Sequence, residues 1–272
     1  MTDPATDDPL TDSDSNTFDV AIIGGGGAAE ALVAALAGHQ RRTVVFEGRR
    51  VGGDCPFTAC MPSKAMLHDA AVGRPWFDAV DRRRIVVDDL DDDQHEKQLA
   101  DDGATLVRFD AQIIAPGVVR AGDTDYTADH IVIATGAAPT IPPIDGIDTL
   151  GDRLWTSDDA MTTEERPVRL AIVGGGAIGC ELATLFARFG TEVHLLDVDP
   201  YAFPGLPDDI GEIVDDSLRS VGVRVSRGVE IERVEQRGGG VRTTLSNGAS
   251  IDTNHLLVAT GRRPRTVGIG LE

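Results

Sequence analysis

The sequence predicts an α/β fold in which one strand–glycine loop–helix–strand unit occurs twice. The first copy begins with the apolar run Phe18–Ile23, followed by a GxGxxA motif at Gly24–Ala29. The second begins with Leu170–Val173, followed by a GxGxxG motif at Gly174–Gly179. Each copy ends further along the chain in an apolar strand that finishes with Ala-Thr-Gly. A repeat of this length indicates two similar domains.

This order of elements is typical of a Rossmann-like dinucleotide-binding domain. The first glycine makes a tight turn, the second lets a pyrophosphate approach the backbone, and the last small residue packs the helix on the strand. These positions are Gly24, Gly26 and Ala29 in the first copy, and Gly174, Gly176 and Gly179 in the second. An acidic residue that can bind a ribose hydroxyl, Glu47 or Asp197, follows each first glycine by 23 positions. The sequence therefore predicts two dinucleotide sites.

Apolar periodicity predicts the remaining elements. Helices are expected over 30–38, 64–71, 77–102, 180–189 and 210–221. Strands are expected over 43–46, 104–108, 112–115, 118–120, 124–127, 130–136, 191–196, 223–225, 241–245 and 255–261, the stretches 130–136 and 255–261 as buried strands. The Pro-rich stretch 137–146 is expected to be a linker between domains.

Composition limits the classes of partner and the setting. The net charge is −20, and only Lys64 and Lys97 are lysines among the 25 basic residues. No basic stripe is visible, so a nucleic-acid partner is not expected. The acidic stretch 1–17 lacks the positive start of a secretory signal, and no apolar run approaches a membrane span of roughly 18 residues. We expect a disordered tail, no membrane, a cytoplasmic location and, since high salt screens self-repulsion, a halophilic source.

Two of the three cysteines, Cys55 and Cys60, lie just before a predicted helix. Pro62 suits the first turn of that helix, where exposed N–H groups would stabilise a thiolate. A redox pair is one interpretation of this spacing. Two buried structural thiols, a static disulfide, or part of a zinc site are the alternatives, although a zinc site needs four ligands and only His68 lies nearby.

Together these motifs resemble the flavin-dependent pyridine nucleotide–disulfide oxidoreductases, the family of dihydrolipoamide dehydrogenase, glutathione reductase and mercuric reductase. The resemblance extends from Phe18 to the end of the chain and includes Gly-Gly-x-Cys-x-x-x-x-Cys-x-Pro-Ser-Lys at 52–64. It implies two cofactors, FAD at the first motif and a nicotinamide dinucleotide at the second. Asp197 favours NAD over NADP, because a carboxylate repels a 2′-phosphate and no arginine follows in 198–200.

The resemblance also implies roles for individual residues. The residues implied along FAD are Gly24, Gly26, Ala29, Glu47, Gly53, Lys64, Ala111, Thr135 and Gly136. Those implied at the nicotinamide dinucleotide are Gly174, Gly176, Gly179, Asp197 and Gly261. Cys60 would be the thiol next to the flavin and Cys55 the thiol that meets the substrate. Lys64 and Glu181 would form an ion pair beside the flavin ring.

The implied activity is transfer of electrons from NAD(P)H through FAD to the Cys55–Cys60 disulfide and on to a small disulfide such as lipoamide. Mercuric-ion reduction is the alternative substrate. The resemblance implies domains at 18–146 (FAD) and 147–265 (NAD(P)), and 266–272 as the start of a return to the FAD domain. The family's remaining FAD segment and its dimerisation domain are expected to be absent. We therefore also consider an inactive nucleotide-binding fragment, or half of a split enzyme that needs a complementing chain or a supplied dimer domain.

Overall fold

A computed structural model describes residues 15–203 and 206–272, so most of the predicted acidic tail lies outside the described residues. The α-helices are α1 (Gly27–Leu36), α2 (Asp54–Phe57), α3 (Cys60–Ala71), α4 (Trp76–Val86), α5 (Asp93–Asp101), α6 (Ser157–Thr162), α7 (Ala177–Arg188) and α8 (Asp208–Ser220). Short 3-10 helices span Asp88–Leu90, Ile147–Thr149 and Gly151–Arg153. The strands are β1 (Thr17–Ile23), β2 (Thr43–Phe46), β3 (Ala104–Val107), β4 (Ala111–Ala115), β5 (Val118–Ala121), β6 (Thr124–Ile133), β7 (Ala137–Pro139), β8 (Leu154–Trp155), β9 (Arg169–Val173), β10 (Glu192–Leu196), β11 (Arg224–Ser226), β12 (Ile231–Arg237), β13 (Gly240–Leu245), β14 (Ser250–Thr253), β15 (His255–Val258) and β16 (Arg262–Pro264).

The chain forms two compact units. The first contains the described residues up to Gly53, together with Asp92–Gly136 and Arg265–Glu272. The second contains Asp54–Asp91 and Ala137–Pro264. In this division both residues of the cysteine pair group with the second glycine motif. The end of the chain groups with the first unit, where Ile113 N donates a hydrogen bond to Ile269 O over 2.8 Å.

The first unit is built on a six-stranded sheet in the order β3-β2-β1-β6-β5-β4. Strands β3, β2, β1 and β6 are parallel, and Ile23 pairs with both Phe46 and Ile133. The carboxyl ends of β1, β2 and β6 therefore lie at one edge of the sheet. Ligands bind at this edge in open α/β sheets, and Gly24, Glu47 and the Ala-Thr-Gly run follow these three strand ends.

The second unit repeats this arrangement in a parallel five-stranded sheet, β11-β10-β9-β15-β8. Val173 pairs with both Leu196 and Val258, so the same three strand ends meet at one edge. The strands β9, β10 and β15 are almost wholly buried, as their continuous apolar runs predict. The antiparallel sheet β12-β13-β14 follows β11 in the chain, and of its strands the sequence predicted only β13.

The predicted charged helix over 77–102 is wrong as a single element. It is divided into α4, a 3-10 turn and α5, with positive φ angles at Asp88, Asp89 and Leu90. Aspartate hydrogen-bonds locally and tolerates such backbone, so an Asp-rich stretch breaks a helix easily. The two halves also pack into different cores: Ala79 is buried in the second unit and Leu99 in the first.

Two further predictions need correction. The strands expected at 124–127 and 130–136 are one strand, β6, that ends at Ile133, and its carboxyl half is only partly buried, with Ile133 42% exposed. The expected linker 137–146 begins with strand β7, which pairs antiparallel with β16. Local composition does not indicate this pairing, because β16 lies over a hundred positions later in the chain. Within the described residues, no helix combines the length and apolar character needed to cross a bilayer.

The half-buried imidazole of His255 is expected to make the second unit sensitive to acid. Its ring stacks on Trp155 at 4.1 Å between centroids, and its Nδ1 has no hydrogen-bond partner among the described residues. Burial, reinforced by the charge of Arg153, lowers the pKa of His255 from 6.5 to about 4. The folded state therefore resists a proton that the unfolded chain accepts.

We expect the free energy of unfolding to fall as pH drops from 6.5 toward 4, and His255→Phe to reduce that loss while keeping the ring stack. Urea unfolding followed by tryptophan fluorescence checks this, since Trp76 and Trp155 both lie in the second unit. Replacing the exposed His39 by Phe is the control. Equal pH dependence in wild type and His255→Phe would contradict the assignment.

Candidate functional site

The first glycine loop, Gly24–Ala29, is fixed by contact with the strand that closes its own unit. Gly24 has a φ of +102°, and a β-carbon there would lie 2.4 Å from the carbonyl oxygen of Ala134. Gly24 N also donates to Phe46 O over 2.8 Å. Only glycine fits this turn, because both the backbone angle and the space exclude a side chain.

Glu47 supports the same loop from below. Its Oε2 accepts a hydrogen bond from Gly25 N over 2.8 Å, and its Oε1 accepts from Arg49 N over 2.7 Å. Arg50 N donates to the same Oε1 over 3.2 Å. A carboxylate oxygen accepts about two hydrogen bonds, so Oε2 keeps one free position. Glu47 can therefore hold the loop and accept a ligand hydroxyl together.

Of the other residues implied along FAD, all but one lie in the first unit, and Lys64 lies in the second. Gly53 packs on the loop, since a β-carbon on it would lie 3.0 Å from Gly26 Cα. Ala29 is buried on α1, and Thr135 N lies 3.0 Å from the β-carbon position of Gly24. Gly136 has open space around its β-carbon position. The side chain of Ala111 is buried in the apolar cluster around Phe18 and Phe46, so only its backbone is available to a ligand.

The second glycine loop, Gly174–Gly179, has the same construction. Gly174 has a φ of +99°, and a β-carbon there would lie 2.4 Å from Ala259 O. A β-carbon on Gly179 would lie 1.8 Å from Gly174 O, so this position also requires glycine. Gly176 has no atom within 4 Å of its β-carbon position. The backbone there is open to a bound group. Gly261, with a φ of +111°, ends the closing strand and has similar open space.

Asp197 holds the second loop as Glu47 holds the first. Its Oδ2 accepts from Gly175 N over 2.5 Å, and its Oδ1 accepts from Asp199 N over 3.0 Å. Sequence reasoning missed one further partner: Arg227 Nη1 donates to Asp197 Oδ2 over 3.0 Å. The residues directly after Asp197, 198–200, contain no arginine. Arg227 comes from the end of the neighbouring strand β11, and a local pattern does not indicate it.

Cys55 and Cys60 are free, exposed thiols at the start of the second unit. Cys55 lies in α2, and Cys60 is the first residue of α3. A side-chain hydrogen bond with Cys60, together with burial, raises the pKa of the Cys55 thiol above its ordinary value, while the charge of Lys64 acts to lower it. At Cys55 the neighbouring thiol therefore outweighs the lysine, and the protonated form is favoured.

Lys64 and Glu181 meet although they lie 117 positions apart in the chain. Lys64 Nζ donates to both carboxylate oxygens of Glu181, over 2.8 and 2.9 Å. The lysine side chain is 63% exposed and the glutamate 24%. An exposed ion pair of this kind contributes about 1 kcal/mol or less to stability. The pair joins α3 to α7, and so joins the cysteine helix to the helix of the second glycine loop.

A second ion pair, which the sequence did not indicate, fixes the residue before Cys55. Arg262 Nη2 donates over 2.6 Å both to Asp54 Oδ2 and to Ala137 O. Asp54 is the first residue of α2. The guanidinium therefore ties the short cysteine-bearing helix to the β7–β16 ribbon.

Cys180, the third cysteine, is separated from this chemistry by burial. Its Sγ donates to Gly175 O over 3.2 Å inside the second unit. Burial raises the pKa of the Cys180 thiol, although Arg227 acts in the opposite direction. A protonated, enclosed thiol reacts slowly.

Reduced protein should therefore release two equivalents of chromophore rapidly with a disulfide reagent such as Ellman's, and a third only in denaturant. The reason is that Cys55 and Cys60 are exposed and Cys180 is buried. Cys180→Ala should abolish the slow equivalent alone. Three rapid equivalents in the native wild type would contradict the structure.

Known proteins that are similar to this chain, in sequence and in structure, include several reductases. The chain is 29% identical to a glutathione reductase from Burkholderia cepacia over 272 residues, which is 94% of this chain and 60% of the relative. It is 33% identical to a mercuric reductase from Streptomyces lividans, over 94% of this chain and 59% of the relative. A solved Cu(II) complex of the HOCl-induced flavoprotein disulfide reductase RclA from Escherichia coli matches 93% of this chain and 58% of its own, with a TM-score of 0.87 and 31% identity.

The chain thus spans a little more than half the length of these relatives. The family model described as pyridine nucleotide-disulphide oxidoreductase matches residues 18–272, which is nearly the whole sequence. This range contains both glycine loops and the exposed cysteine pair. The chain belongs to the pyridine nucleotide–disulfide oxidoreductase family.

Proposed function

We propose that this chain supplies the electron-transfer part of an NAD(P)H-dependent, FAD-containing disulfide reductase. The observation that supports it best is an exposed cysteine pair in the same chain as two glycine loops of one construction. A structural pair of thiols is expected to be buried and inert, whereas both of these thiols are exposed. A zinc site is disfavoured because His68 and the two cysteines give three ligands at most.

The first glycine loop fits an FAD pyrophosphate. Helix α1 begins at Gly27, and its N-cap Gly26 provides no side-chain hydrogen bond, so the first N–H groups are available to an anion. Glu47 keeps an acceptor position for a ribose hydroxyl. When bound, FAD would supply the capacity to take a hydride equivalent from a reduced nicotinamide and to pass on its electron pair. Lys64, held in orientation by Glu181 within the second unit, would supply the compact positive charge that the family resemblance implies beside the flavin ring.

The second glycine loop fits a nicotinamide dinucleotide in the same way. Gly176 leaves open space, and α7 begins at Ala177 without a side-chain cap on its N-cap residue. Asp197 keeps one acceptor position on Oδ1, which a 2′-hydroxyl can use and a 2′-phosphate cannot. NAD is therefore the proposed coenzyme, with NADP less favoured.

The cysteine pair would pass two electrons to a small disulfide by thiol–disulfide exchange. The Cys55 thiolate attacks one sulfur of the substrate, which forms a mixed disulfide and releases one substrate thiolate. Cys60 then attacks the Cys55 sulfur, which re-forms the Cys55–Cys60 disulfide and releases the second thiolate. Both released substrate thiolates then take up a proton from solvent. Since the pKa of Cys55 is raised, the first attack needs a group that removes its proton, in addition to the charge of Lys64.

Mercuric-ion reduction is the second candidate, because two exposed thiols close together suit a soft, two-coordinate metal ion. The similarity to mercuric reductases supports the same candidate. The chain spans little more than half the length of these relatives. We therefore propose separately that this chain alone turns over substrate. Catalysis that needs a complementing chain, and nucleotide binding without catalysis, are its alternatives.

The test is reconstitution of the purified chain with FAD, followed by anaerobic reduction with NADH. Wild type should bind FAD and develop a long-wavelength absorption band on reduction. Cys60→Ser should bind FAD equally and lack the band, because its thiolate is gone. Cys180→Ser is the matched control and should keep it.

Four outcomes are informative. A chain that never binds FAD would contradict the proposal, and so would a band that survives in Cys60→Ser. If the band forms, oxidised lipoamide, glutathione disulfide and a mercuric salt can each be added, and the compound that restores the oxidised spectrum identifies the acceptor class. Restoration by none of them would leave the cysteine role intact and contradict these substrates.

A further inference from the structure

Below the second glycine loop lies a group of buried charges, which we call the acid–arginine cluster: Asp197, Arg227 and Asp215. Arg227 Nη1 donates to Asp197 Oδ2 over 3.0 Å, and its Nη2 donates to Asp215 Oδ1 over 2.8 Å. The exposed fractions of the three side chains are 11%, 7% and 8%. Asp215 lies on α8 and is connected to the loop through its hydrogen bonds with Arg227.

Most N–H groups of the Arg227 guanidinium donate hydrogen bonds within the cluster or to the loop. Its Nε lies 3.2 and 3.4 Å from the two oxygens of Asp215, and Nη1 also donates to Gly175 O over 3.4 Å. A β-carbon on Gly175 would lie 1.8 Å from Nη1, so the arginine occupies the space directly under the loop. If it turned toward a bound phosphate, Asp197 and Asp215 would both lose their hydrogen bonds to the guanidinium, and breaking a buried ion pair is strongly destabilising.

The acid–arginine cluster therefore carries a net negative charge, although an arginine considered alone would indicate a positive site. Two carboxylates and one guanidinium give a net charge of −1. Burial acts to lower the pKa of Arg227, but the hydrogen bond and charge of Asp215 outweigh it and raise that pKa, so the arginine stays charged. Arg219 lies 3.7 Å from Asp215 but is half exposed and also pairs with Asp216. Buried charges are screened less by salt than exposed ones.

The first unit places its corresponding arginine differently. Arg108 follows the third strand of its sheet, as Arg227 does, but it pairs with Asp92 and Glu96. Among the described residues, the hydrogen-bond donors to the Glu47 carboxylate are backbone amides, and Arg108 is not one of them. An arginine on the loop acid is thus a property of the second loop, where the proposed ligand is the nicotinamide dinucleotide.

We infer that Asp215, acting through Arg227, is a specificity-determining residue that makes the second loop select a dinucleotide with a free 2′-hydroxyl over its 2′-phosphorylated form. This inference rests on the proposed function of that loop. Asp215 balances the positive charge of Arg227. The negative charge of Asp197 therefore stays uncompensated and would repel a 2′-phosphate. Without Asp215, Arg227 would balance Asp197 and the discrimination would weaken.

The test is the ratio of the dissociation constants for NADPH and NADH, measured by calorimetry on the full chain. Asp215→Asn keeps a hydrogen-bond acceptor for Arg227 and removes one negative charge. It should lower the ratio by about three- to tenfold, with little change in NADH affinity, since one charge acts on the phosphate through protein. Arg219→Gln, at the exposed edge of the cluster, should raise the ratio by about twofold.

The double variant Arg227→Gln with Asp215→Asn removes one positive and one negative charge, leaves the negative charge of Asp197 in place, and should keep the ratio at or above that of wild type. Asp252→Asn is the matched control: this aspartate pairs with Arg242 elsewhere in the second unit, and its loss should leave the ratio unchanged. A structural role alone would lower the melting temperature of Asp215→Asn without moving the ratio.

An unchanged ratio in folded Asp215→Asn would overturn the inference and leave the proposed function standing. The same holds if Asp252→Asn lowers the ratio equally. If Asp215→Asn does not fold, an unchanged or lowered ratio in Arg219→Gln overturns it. If wild type binds neither nucleotide, the proposed function of the second loop fails and the inference fails with it.

Discussion

The contact between the first glycine of each loop and the closing strand of its own unit fixes most of this structure. Gly24 and Gly174 both approach a carbonyl oxygen so closely that a β-carbon would lie 2.4 Å from it. This approach sets where the loop turns and where the helix begins, and it directs the loop amides to the strand-end edge of the sheet. An acid then hydrogen-bonds the next glycine, Gly25 or Gly175, in each unit. Any larger residue at Gly24 or Gly174 must displace a central strand.

The cysteine segment depends on ion pairs rather than on such packing. Lys64 is held by Glu181, and Asp54 by Arg262, so the residues on both sides of the cysteine pair are tied to other elements of the second unit. The thiols themselves stay exposed. This combination suits a redox pair, which needs a fixed position and access to a reaction partner. It also explains why the segment groups with the second unit although it follows the first in sequence.

Much of this was predictable from sequence because the determinants are local. The loops, their acids and the flanking strands follow from glycine spacing and apolar runs, and Lys64–Glu181 follows from the family resemblance. What could not be predicted depends on distant contacts. The pairing of β7 with β16, the break at Asp88–Leu90, and the positions of Arg227 and Arg262 arise from residues far apart in the chain. The raised pKa of Cys55 likewise depends on how close the Cys60 thiol lies, which spacing alone does not give.

We propose that this one chain contains two separate dinucleotide sites of the same construction, one that prefers FAD and one that prefers NAD. Native mass spectrometry of the purified chain with FAD and NADH present together tests it most directly. The account predicts a species that holds one molecule of each. Replacing Gly176 by Val should remove NADH alone, since its β-carbon position is open in the structure and the side chain would fill the space proposed for the pyrophosphate. A single nucleotide per chain, with FAD and NADH displacing each other, would contradict the account.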